Sequence, residues 1–178
     1  MANKDVYLGK NRLKTGKKKV TGQMVEIEHE QFYRIGNYHE MPDFFMSIVS
    51  DADHWMFISS NGALSAGRKN RDHALFPYYT DDKIHDYRGI TGSKTFLLIE
   101  NGQGTYLWEP FTDSSARSYE ITRNIYKSVY GNKVIFEEIN HDLETSFRYG
   151  WYNSNQYGFV KRSTLVYHGN QPVKATIL

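Results

Sequence analysis

The chain has 178 residues, 22 of them basic and 20 acidic, for a formal net charge of +2. That length suits one domain, and the near-neutral balance gives no support for nucleic-acid binding as the main job, which needs a strong basic excess on one face. With no cysteine, a disulfide framework, a thiolate zinc site and a cysteine nucleophile are all excluded.

The absence of cysteine fits a reducing compartment, and the expected location is cytoplasmic. The opening MANKDVYLGK lacks the apolar core of a secretory signal. No apolar run approaches the roughly 20 residues that span a bilayer, so no membrane partner is expected. Aromatic residues make up 15% of the chain. Aromatics favour strands, and their flat apolar rings also stack on sugar faces.

In chain order, residues 1–23 form a basic, glycine-containing stretch with Lys10, Arg12, Lys14, Lys17, Lys18 and Lys19. It reads as a solvated, flexible arm. A phosphate or RNA contact is the sharper reading of its lysines, and nothing else in the sequence supports it. From Met24 onward the texture is that of a folded domain, 24–178. MVEIE and QFYRI alternate as a strand pair on either side of His29-Glu30. FFMSIV (44–49) and HWMFIS (54–59) read as a hairpin of buried strands. Asn61-Gly62 follows as a turn that tolerates positive φ, with a return strand over 63–66.

Residues 67–92 are dense in charge, histidine and aromatics without a clean period, and read as a long ordered loop or an irregular edge. KTFLLI (94–99) and GTYLW (104–108) form a hairpin around Asn101-Gly102-Gln103-Gly104. Residues 118–131 carry both helical and strand spacing, and their β-branched and tyrosine content tips them towards extended structure. The segments 133–140, 144–153, 156–168 and 173–178 read as an antiparallel meander. Strand signals every 8–15 residues predict an all-β antiparallel sandwich with little helix. The chain ends in mid-strand, which suggests a domain cut from a larger protein.

No catalytic constellation is legible. Asp51-Ala52-Asp53-His54 and the run from Asp81 to Asp86 collect oxygen and imidazole groups. They match neither an EF-hand nor a zinc-hydrolase helix, and turn chemistry explains them. Glu137 and Glu138 are adjacent, and neighbours on a strand point to opposite faces, so they cannot flank one bond. Nucleophile-elbow, Walker and dinucleotide motifs are absent. No catalytic residue, metal ligand or cofactor is assigned. What remains is the 67–88 segment. There Arg68, Arg71, His73, Tyr78, Tyr79 and His85 could contact carbohydrate or a partner domain through forked guanidinium donors and ring stacking. Unpartnered guanidinium groups are too costly to bury, and extended backbone after Pro77 should turn one of the two tyrosines outward.

The stretch SSNGALSAGRKNRDHALFPYYTDDKIHDYRG, followed by LLIENGQGTYLWEPF, resembles the N-terminal β-sandwich domain of cellobiose phosphorylase-like enzymes. A small-residue turn leads into a basic-aromatic segment, and a Trp strand precedes a Pro-aromatic pair, here Trp108, Pro110 and Phe111. The similarity covers about residues 40–178 and is one of turn-and-strand order. It implies a galactose-mutarotase-like super-sandwich, followed in the parent protein by a linker and an (α/α)₆ barrel holding the catalytic acid and phosphate site. The sandwich would be non-catalytic, forming a wall of the substrate cleft and much of a homodimer contact. A free-standing carbohydrate-binding module and a structural interaction domain are the alternatives.

Overall fold

The computed structural model describes residues 5–80 and 82–178. Residues 1–4 and Asp81, part of the expected arm and of the 81–86 acidic run, lie outside the described residues. Half of the chain is strand and 12% helix, and the strands pair antiparallel without closing a barrel. The expected all-β antiparallel sandwich is what the chain forms.

In chain order the strands are β1 (Tyr7–Leu8), β2 (Asn11–Arg12), β3 (Thr21–Ile27), β4 (Glu30–Gly36), β5 (Phe45–Ile48), β6 (His54–Ser59), β7 (Leu64–Arg68) and β8 (Ala74–Phe76). There follow β9 (Leu97–Asn101), β10 (Gly104–Trp108), β11 (Ile121–Ser128), β12 (Lys133–Asn140), β13 (Thr145–Ser154), β14 (Gly158–Tyr167) and β15 (Lys174–Ile177). Two short helices, α1 (Arg88–Thr91) and α2 (Asp113–Ser118), and 3₁₀ turns at Tyr38–Glu40, Arg71–His73 and Ile84–Tyr87 complete the chain.

One layer is a six-stranded sheet in the order β14-β13-β12-β11-β4-β3. The other combines a four-stranded meander, β5-β6-β7-β8, with a three-stranded sheet, β10-β9-β15. Alternation on β12 and its neighbours sends Val134 and Phe136 inward with Ile125, Phe147 and Tyr149. They meet Ile48, Met56, Ile58, Leu64 and Ala66 from the four-stranded sheet, and Leu97, Ile99 and Trp108 from the three-stranded one. Each fully buried large apolar side chain in this set contributes about 1.5–3 kcal/mol. Phe136 stacks on Tyr149 at 4.9 Å. The other face of the six-stranded sheet carries its own small cluster, Phe32, Tyr126 and Ile135, with Val25, Ile27 and Tyr152 around it.

Several local expectations shift. The β3–β4 turn is Glu28-His29, both at positive φ (50° and 66°), as a two-residue hairpin turn requires. It falls one residue before His29-Glu30. The arm contains the β1–β2 hairpin, and β3 starts at Thr21 rather than Met24. Lys18 donates to the Glu120 carboxylate and the Ile121 carbonyl, and the Lys14 amide donates to the Arg117 carbonyl at 2.9 Å. Lys14 and Lys18 are thus tied to the domain, while residues 14–17 stay exposed.

The strands at 44–49 and 54–59 are buried on one face only. Residues 67–92, expected as a long ordered loop or an irregular edge, contain β8 at the edge of the four-stranded sheet, two 3₁₀ turns and α1. The ambiguous 118–131 segment resolves as the last residue of α2 followed by β11. β15 does not extend the C-terminal meander. It crosses to the opposite layer and pairs with β9, Ile177 opposite Leu97, because a long turn after Tyr167 lets its alternating side chains complete a different sheet.

Candidate functional site: an outward aromatic platform

The outward face of the four-stranded sheet carries a cluster of four aromatic rings. On β5 and β6, Met46, Ile48, Met56 and Ile58 point to the core, so strand alternation turns Phe45, Trp55 and Phe57 outward. Opposite them on β7 stand small residues: Ser65 faces Phe57, and Gly67 faces Trp55. A Cβ on Gly67 would lie 2.5 Å from a carbon of the Trp55 ring. The indole therefore rests on backbone that only glycine leaves open.

Ser65 then sets the fourth ring. Its hydroxyl donates to the Pro77 carbonyl at 2.7 Å and accepts from the Tyr79 amide at 3.3 Å. This pins residues 77–79 across the sheet and places Tyr78 edge-on against Trp55 (5.7 Å, 75°) and Phe57 (6.4 Å, 71°). Phe57 in turn lies within 40° of the planes of Trp55 (5.6 Å) and Phe45 (5.1 Å). Three rings form a shallow floor and Tyr78 an upright wall, with Phe45 38% and Tyr78 48% exposed.

A basic turn borders the floor. The Trp55 indole N–H donates to the Asn70 carbonyl at 3.3 Å. Asn70 also caps the following 3₁₀ turn, its Oδ1 accepting from the Asp72 amide and meeting His73 Nδ1 at 2.8 Å. Arg71 and His73 are exposed there, whereas Arg68 is paired across the sheet with His54 and turns to the opposite face, its guanidinium beside Gly158. Among the described residues Arg71 has one ion pair, with Asp72 at 3.7 Å, both side chains about three-quarters exposed.

Of the six residues singled out from sequence, three share this region: Arg71, His73 and Tyr78. Tyr79 turns the other way and stacks on Tyr87 at 3.6 Å; the desolvation there and the neighbouring phenol raise its hydroxyl's pKa above the ordinary value. His85 sits apart, its Nδ1 2.7 Å from the Ser59 hydroxyl and its carbonyl accepting from the Asn61 amide group at 2.9 Å. Sequence reading missed Phe45, Trp55 and Phe57. Alternation puts Trp55 and Phe57 on one face and Met56 and Ile58 on the other, but both faces are apolar, so the sequence did not mark which of them is outward.

The two buried carboxylates of β12 are fully engaged and do not face one another. Glu138 accepts from Trp108 Nε1, the Phe111 amide and Arg123 Nε, each at 2.7 Å. Arg123 and Arg88 also donate to the carbonyls of Thr112 and Phe111. These bonds hold the turn after Trp108, where Phe111 adopts φ 68°. Glu137, on the opposite face, accepts from Tyr126 (2.5 Å), Asn124 (2.8 Å) and Arg148 (2.5 Å). Burial pushes its carboxyl up, but the bonds from Tyr126, Arg148 and Asn124 win and hold it below the ordinary range. Among the described residues no three His, Asp or Glu side chains gather to hold a metal ion, and no helix is long and apolar enough to cross a membrane.

No family model matches the chain, and no curated protein matches it.

Proposed function

We propose that this chain is the non-catalytic N-terminal sandwich of a cytoplasmic, cellobiose phosphorylase-like carbohydrate-active enzyme, and that it contributes a carbohydrate-contacting wall to the substrate cleft. The observation that carries this is the Phe45–Phe57–Trp55 floor with its Tyr78 wall and its basic border. A pyranose ring presents axial C–H bonds on its faces and hydroxyls at its edge. Flat rings receive the faces, and the exposed guanidinium of Arg71 offers forked donors to hydroxyls at the rim. Exposed apolar clusters of this kind mark binding sites rather than ordinary surface. The chemistry itself belongs to the (α/α)₆ barrel that the sequence resemblance implies for the parent protein.

Tryptophan fluorescence tests the reading, since Trp108 is buried and Trp55 sits on the platform. Titration with soluble gluco-oligosaccharides should shift the emission saturably, and Trp55→Ala should abolish the response. An unchanged spectrum at millimolar oligosaccharide would overturn the assignment.

A further inference from the structure

A cavity of about 1200 Å³ lies far from the aromatic platform in the chain, between the N-terminal arm, α2 and the start of β11. Its walls bring together Lys14, Lys17, Lys18, Arg117 and Arg123. Three acids share those walls, Glu40, Asp113 and Glu120, and the described contacts occupy them. Glu120 takes the Lys18 ammonium and stands 4.0 Å from Lys14. Glu40 accepts from the Lys18 amide at 3.2 Å, and Asp113 stands 4.0 Å from Arg123. Arg123 is spoken for by Glu138. Arg12, also on the wall, is paired with Asp5 at 2.7 Å. Lys17 and Arg117 have no ion pair among the described residues.

The arrangement is imposed by backbone. The Lys14 amide donates to the Arg117 carbonyl, so the backbones of two cationic residues are neighbours on the cavity wall. Like charges in proximity repel, and a fold that places them around a recess leaves a positive potential focused into it. Tyr119 adds a ring to the wall, fixed by its hydroxyl's bond to the Leu107 carbonyl at 2.8 Å. His39, also on the wall, stays neutral near pH 7. Burial, with Arg123 nearby, lowers its pKa to about 4.

We infer that this cavity binds a small, multiply charged phosphate-bearing compound, with Lys17 and Arg117 as its principal contacts and Lys14 in support. A recess with a roof of folded arm favours a compact anion over a nucleic-acid strand, which needs an open track of cations along its backbone. The inference is independent of the carbohydrate reading, because it uses none of the platform residues.

Isothermal titration of the full chain with pyrophosphate, at ionic strength fixed with sodium chloride, tests it directly. Saturable one-to-one binding is expected, and Lys17→Gln combined with Arg117→Gln should weaken it at least tenfold. Both side chains lack ion pairs, so the double variant should keep its melting temperature without ligand; Trp55→Ala should bind pyrophosphate like the parent. Absence of saturable binding, undiminished binding by the double variant, or binding of single-stranded RNA without pyrophosphate would each overturn the proposal.

Discussion

Glu137 and Glu138 are adjacent on one strand, both buried, and surrounded differently. Glu138 lies between the layers with no exposed surface, and its partner Arg123 is 5% exposed. Glu137 lies on the opposite face of the same sheet. Its partner Arg148 is 38% exposed and lies over the Tyr126 ring at 5.5 Å. The comparison teaches what a buried charge is for in this fold. Glu138 has three donors from three segments, β10, the turn after it and β11, and so decides how the two layers are joined. Glu137 has donors from β11 and β13 alone and closes the surface of one sheet. A buried ion pair gives little net stability compared with apolar packing, but removing one partner is costly.

The largest effect should therefore come from Glu138→Ala. It strands the Arg123 guanidinium, the Trp108 indole N–H and the Phe111 amide, and about 3–5 kcal/mol of stability should be lost. Chemical denaturation with the Trp108 emission as readout measures this, and a loss below that of the Glu137 variant would break the contrast. Glu137→Gln keeps the shape and one acceptor oxygen, and Arg148 can turn to water. A loss of about 1–2 kcal/mol is expected.

The acid limb sharpens the same contrast. The folded Glu137 carboxyl is held below its ordinary value of 4.5, so its contribution is present above that pH. As pH falls from 4.5 through the depressed folded value, the contribution is lost. The Glu137→Gln variant should accordingly show a flatter stability profile than the parent below pH 4.5, read from denaturation midpoints at stepped pH. A parallel pair of profiles would mean that the carboxylate is not the group responsible. The smallest effect on stability should come from Trp55→Ala on the outward platform, below about 1 kcal/mol. The same variant should lose the oligosaccharide response entirely, separating a surface built for contact from one built for folding.

Much of this was legible in the chain. The period-2 pattern of 133–140 and 144–153 determines strands, since a strand's side chains alternate by geometry. The same rule placed Glu137 and Glu138 on opposite faces, and it turned one of Tyr78 and Tyr79 outward once Pro77 was taken as extended. Which of the two went outward was not legible, because that choice belongs to Ser65, which sits 12 and 14 residues away from Pro77 and Tyr79 along the chain. Nor was the aromatic floor. FFMSIV and HWMFIS are apolar on both faces, and an apolar residue carries no mark of which face a second sheet will cover.

The sequence by itself determined the class of secondary structure, most hairpin positions and the absence of a nucleophile motif, because these depend on neighbours within a few residues. Tertiary structure alone decided the rest. It sent β15 across to β9, tied Lys14 to α2 and Lys18 to the start of β11, and gathered Phe45, Phe57, Trp55 and Tyr78 on one face. Each of those outcomes rests on contacts between residues distant in the chain, whose free energy comes from surfaces that do not exist until the layers have packed.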